Sequence, residues 1–180
     1  MELRILGPIG FLIGWIAISL LLLIWEVDKA KSISHHAAAQ KSSYVMMAIF
    51  ETISMTLFAL FTIGWLANQY DLSPLFAFCS LLVTIGLTAA AWIPVTGKNG
   101  KLHDLFAWTA ALLFMPMLLI LTASSNVPSK ARLVNAGCLT ILFILFTLSK
   151  ISKSVQRHHL YAQSTYILVF DIGILAAAYL

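Results

Sequence analysis

Residues 5–25 read ILGPIGFLIGWIAISLLLLIW, a run of twenty-one positions without a charged side chain. Coiled as an α-helix at about 1.5 Å per residue, such a run is about 30 Å long, the thickness of a bilayer's hydrocarbon core. Five further long apolar runs follow at 44–66, 73–94, 103–122, 131–149 and 160–179. None alternates every second position, so a helix and not a barrel strand is the way each can satisfy its backbone in lipid. The expected fold is all-α: a polytopic integral membrane helical bundle with about six transmembrane helices, one transmembrane domain over 1–180.

Composition points the same way. Of the 180 residues, 61% are hydrophobic and 10% charged, where an ordinary soluble domain carries roughly 25% charge. That balance, with five Trp, eleven Phe and five Tyr, excludes a disordered tail, a nucleic-acid-binding basic domain and a disulfide-stapled secreted module. The pI of about 9.2 is therefore a signal of membrane topology, and no nucleic-acid partner is expected. The first run is too long for a signal-peptide core and ends at Trp25-Glu26 without a small-x-small cleavage site, which predicts a retained span. Within it, Gly10 and Gly14 are spaced to let a neighbouring backbone approach closely. Cys79 and Cys138 fall inside spans, where a thiol behaves as a small apolar group and no disulfide is expected. No glycosylation sequon, CxxC, GxGxxG, P-loop or HExxH occurs, and no cofactor is expected.

The loops after the first, third and fifth spans hold Lys29, Lys31, Lys41, Lys98, Lys101, Lys150, Lys153 and Arg157, whereas the other side holds Arg4, Lys130 and Arg132. Basic loops resist translocation, so this eight-to-three bias predicts those loops in the cytoplasm and both termini outside it, in a bacterial inner membrane.

Two carboxylates interrupt the runs: Glu51 in AIFETIS (48–54) and Asp171 in LVFDIG (168–173). An ionisable group near the bilayer centre costs about 2.5 to 3.5 kcal/mol, so it turns toward the bundle interior or a wet cavity and marks a path for protons or ions. At 100° per residue, Tyr44, Glu51, Ser54 and Thr62 share one stripe, and Ser164 and Asp171 share another. Glu51 lies about 10 Å and Asp171 about 16 Å from the basic ends of their runs. The two stripes suggest one shared polar cavity serving as a ligand or proton site.

All five histidines, His35, His36, His103, His158 and His159, fall in or beside the basic loops. That placement argues against a bis-His haem inside the bundle. Adjacent His pairs do not share a helical face, so no metal site is assigned, although rings from separate loops could meet Asp104 or Glu51 around zinc. The loop PVTGKNGKLHD (94–104) combines two glycines, Lys98 and Lys101 with His103 at the start of the next run, a combination suited to an anion or lipid headgroup at a helix N-terminus. Asp104 in the first turn competes with such an anion. Pro116, in LFMPML (113–118), removes one backbone bond and predicts a kink.

Trp92-Ile-Pro94, Gly97 to Gly100 and His103-Asp-Leu-Phe-Ala-Trp108 resemble the DRAM/Frag-type six-helix membrane proteins and their uncharacterised bacterial relatives. The resemblance covers about a dozen residues, together with the number and length of the spans. It implies a compact six-helix bundle with no catalytic residue carried over. The functional expectation is a small membrane protein that binds a lipid-like or small amphipathic ligand, or serves as an accessory subunit. Its expected partners are membrane lipids and a homo-oligomer or larger membrane complex. Two alternatives are a proton- or cation-coupled transporter using Glu51 and Asp171, and a metal-dependent hydrolase using the histidines.

Overall fold

The computed structural model describes residues 2–25 and 27–180, and every regular element among them is a helix. The end of the first run at Glu26 lies outside the described residues. A 3-10 turn at Leu3–Ile5 leads into α1 (Leu6–Ile24), which is followed by a short α2 (Ile33–Ala37). Next, α3 (Lys41–Phe61) continues through a π-helical turn at Thr62–Leu66 into α4 (Ala67–Gln69). The remaining helices are α5 (Pro74–Trp92), α6 (Gly100–Ala123), α7 (Ser129–Ile151), α8 (Lys153–Arg157) and α9 (His159–Tyr179).

Six stretches are long and apolar enough to cross a membrane: Leu3–Ile24, Lys41–Gln69, Pro74–Trp92, Gly97–Ala123, Ser129–Ile151 and His159–Tyr179. They correspond to the six apolar runs. Where the ends differ, local chemistry explains it. Pro74 occupies the first turn of α5, where its missing N–H costs nothing. The α6 helix starts at Gly100, three residues before His103, because Gly97 takes a left-handed φ of 81° that turns the chain and Gly100 passes close under the Val95 carbonyl. A Cβ on Gly100 would stand 2.5 Å from that oxygen. His103 and Asp104 therefore sit inside the helix and not at its N-terminus. The α6 helix runs on unbroken through Pro116.

The spanning helices pack in the order α1, α3, α5, α6, α7, α9; α9 also meets α6 and touches α1 at few places. Sequence neighbours are thus neighbours in space, as short connections require. At the basic end the loop after α1 is tied to α9, where Leu160 N–H donates to the Lys29 carbonyl at 3.2 Å and Ile33 N–H to Gln163 Oε1 at 2.9 Å. The opposite end is tied by Tyr70 Oη–H on the Ala177 carbonyl and Tyr179 Oη–H on the Arg4 carbonyl. Gly10 allows α1 to lie against α3: a Cβ there would meet the Ser54 carbonyl at 3.1 Å, and the Ser54 hydroxyl donates to the Gly10 carbonyl at 2.9 Å.

The core is aromatic and aliphatic, with Phe58, Phe61, Phe76, Met117, Leu118 and Ile174 fully buried. The outer surface is apolar too, for Leu23, Phe78, Leu105, Leu119, Leu133 and Phe143 all stand exposed. A soluble monomer rarely shows so continuous an apolar surface, whereas acyl chains cover it at no cost.

Candidate functional site

A cavity of about 190 Å³ lies among α1, α3, α5, α6 and α9, covered at the basic end by α2 and by Ile93, Pro94 and Val95. Aromatic rings form its inner end. Phe11 leans on Phe58, Phe58 on Phe170, and Phe170 stacks on Phe114 with centroids 3.7 Å apart. These rings are among the cavity-lining residues and give it an apolar, aromatic wall.

Polar groups enter from three sides. Glu51 and Asp171 both line the cavity. Counted from Lys41 and His159, the first residues of their helices, they stand about 15 Å and about 18 Å deep at about 1.5 Å per residue. Asp171 is buried and its Oδ2 accepts the Trp15 indole N–H at 2.9 Å, a bond that links α9 to α1. Glu51 has no hydrogen-bond or ion-pair partner among the described residues; it is half-buried and is one of the cavity-lining residues.

The neighbouring hydroxyls are engaged with the backbone. Tyr44 Oη–H donates to the Trp92 carbonyl, Tyr166 Oη–H to the Ala111 carbonyl at 2.9 Å, and Ser54 to Gly10 as described. His103 is buried against the end of α5, its Nδ1 lying 2.9 Å from the Ala90 carbonyl and 2.7 Å from that of Ile93. Both partners are acceptors, so Nδ1 carries the proton, and the ring adds a donor to carbonyls at the C-terminal end of a helix, where intrahelical partners run out.

Of the residues expected to form the ligand or proton site, Tyr44, Glu51, Ser54 and Asp171 line this one cavity and Ser164 does not. On α9 the lining face is made by Gln163, Tyr166, Ile167 and Phe170, with Asp171 at its edge. At 100° per residue, Ser164 falls just beyond that edge. Thr62, on the expected stripe of α3, instead pairs with Ser80 of α5. The expected anion cluster is divided: Lys98 and Lys101 are exposed, whereas the His103 ring turns inward onto α5 and lines the cavity.

The other histidines serve the loops. His36 is buried, accepting the Asp28 N–H at Nε2 and donating from Nδ1 to the Ser32 carbonyl. The Ala30 amide, with Lys31 beside it, holds the Asp28 carboxyl below the usual aspartate range. Among the described residues no three His, Cys, Asp or Glu side chains gather as a metal-ligating set.

Sequence reasoning overlooked Trp15, Gln163 and Tyr166. A signal for Trp15 existed: an indole N–H in the middle of a span needs a buried acceptor. Fold and cavity together define a six-helix integral membrane protein with an intramembrane cavity carrying two carboxyl groups. No family model, curated protein or solved structure matches this chain.

Proposed function

We propose that this protein binds a small amphipathic, lipid-like ligand inside the membrane, as a binding or accessory subunit of a homo-oligomer or larger membrane complex. The observation that carries the reading is Glu51, whose carboxyl has no partner among the described residues and which lines a cavity otherwise formed mainly by apolar side chains. A charged or polar group without a partner in an apolar surround is expensive, and a ligand with one polar end and one apolar end supplies what the wall lacks. The volume of about 190 Å³ compares with the roughly 150 Å³ cavity that takes up benzene, so the apolar part corresponds to one ring or a short chain. The likeness of the 92–108 segment to DRAM/Frag-type proteins belongs to this same reading, since it implies a six-helix bundle without catalytic groups.

A second reading, proton- or cation-coupled transport, is favoured by Glu51 and Asp171 sharing that cavity. In either reading the basic loops face the cytoplasm of a bacterial cell and both termini lie outside it, on the strength of the eight-to-three distribution of Lys and Arg.

Native mass spectrometry of the purified protein tests the first reading. The parent releases a small bound molecule on unfolding, and Ala107→Leu, which fills the cavity from α6, releases none. Equal release, or none from the parent, overturns the reading. Proton flux in liposomes that disappears in Glu51→Gln establishes the second.

A further inference from the structure

We propose that the cavity selects an organic cation, a primary ammonium group carried on an apolar body of about one ring. This inference rests on the ligand-binding reading and specifies the ligand's polar end. It follows from an accounting of hydrogens. The Trp15 N–H is given to Asp171, and the hydroxyl hydrogens of Tyr44, Tyr166 and Ser54 are given to the carbonyls of Trp92, Ala111 and Gly10. The His103 Nδ1 proton is given to Ala90 and Ile93.

With the two carboxyls ionised, as an ammonium ligand would hold them, what these groups leave for a ligand is almost all acceptor: both Glu51 oxygens, Asp171 Oδ1 and the hydroxyl lone pairs. The remaining side-chain donors on the wall are the Ser34 hydroxyl and the Gln163 amide, both at the α2 end, where the Gln163 oxygen is already held by Ile33 N–H. No Lys or Arg is among the lining residues. A carboxylate or phosphate would meet like charge and few donors, and an alcohol brings a single hydrogen. An ammonium brings three and neutralises a carboxylate, making charge-assisted bonds. Behind it Phe58, Phe114, Tyr166 and Phe170 are among the lining residues, an aromatic surround that suits an apolar body of about one ring.

Three near-isosteric compounds separate the possibilities: phenethylammonium, 2-phenylethanol and 3-phenylpropanoate. They are titrated calorimetrically into the protein in zwitterionic-lipid nanodiscs, with empty discs subtracted. The expected result is phenethylammonium bound about tenfold more tightly than the alcohol, about 1.4 kcal/mol, and no binding of the carboxylate. Glu51→Gln lowers ammonium affinity to that of the alcohol and leaves the alcohol unchanged. Should Glu51→Gln not remain monodisperse, Asp171→Asn, which retains an acceptor for Trp15, reduces the preference instead. Equal ammonium and alcohol binding, a preference for the carboxylate, or a preference unmoved by these substitutions overturns the proposal. Equal binding that Ala107→Leu abolishes does so while leaving the ligand-binding reading intact. Absence of all three from the parent also overturns the proposal, and the released-mass experiment then judges the broader reading separately.

Discussion

Trp15 differs from the other four tryptophans in its partner, a carboxyl group inside the bundle. Trp25, Trp65 and Trp92 lie toward the ends of their spans with Gln40, Arg4 and Thr52 for company, and Trp108, deeper in α6, has the Lys150 ammonium over its ring. The end of a span is the usual place of an amphipathic ring in a membrane protein. Trp15 is in the middle of α1 and spends its N–H on Asp171. Trp15→Phe is expected to lower thermal stability by about 1 kcal/mol, the scale of buried hydrogen bonds between membrane helices. In the Asp171→Leu background it costs much less, because the acceptor is gone; equal costs in a double-mutant cycle of thermal denaturation would show that the bond contributes nothing. The carboxylates and their stripe-mates Tyr44 and Ser54 were legible in the sequence because a charge in a long apolar run is costly and helical periodicity fixes the face it shares. Trp15 was not, since hydropathy counts an indole as apolar. The choice between Gln163 and Ser164 turned on which edge of α9 borders the cavity, which depends on how α9 is rotated against α6 and α1.

At the scale of the helix, the α1–α3 contact has the geometry that the Gly10 and Gly14 spacing suggested. The Ser54 carbonyl and the Leu57 Cβ each lie 3.1 Å from where a Gly10 side chain would begin, and the Ser54 hydroxyl would meet one at Gly14 at 3.2 Å. Gly10→Leu is expected to push the helices apart, break the Ser54–Gly10 bond and cost about 1 to 3 kcal/mol as overpacking does. A thermal midpoint unchanged from the parent would contradict that packing role. The π-helical turn at Thr62–Leu66 had no signature in the apolar pattern. Its partners come from elsewhere in the fold: Thr62 bonds to Ser80 on α5, and Leu3 packs within 3.3 Å of the Gly64 Cβ position. The lengths of the apolar runs therefore located the six spans to within a few residues, whereas a change of helical pitch inside one of them was beyond their reach.

For the molecule as a whole, orientation is the property most open to direct measurement. Ser42 and Ser152 are at the basic end, next to Lys41 and Lys153, while Cys79 and Cys138 are buried. Ser42→Cys and Ser152→Cys should resist a membrane-impermeant thiol reagent in intact cells and react once the cells are opened; labelling of both from outside would reverse the assigned topology. The order of the bundle has a consequence for traffic to its interior. Every pair of successive spanning helices makes many contacts, but α1 and α9, the first and last, touch at few places, with the Trp15–Asp171 bond as a tie between them. For the ligand proposed above, the seam with the fewest contacts is the expected way in, and it lies in the plane of the bilayer. A guest dissolved among the acyl chains reaches such a site sideways, without crossing the α2 cover. The membrane then acts as the reservoir that sets how often the site is visited, and a guest's solubility in lipid becomes part of its recognition alongside its fit.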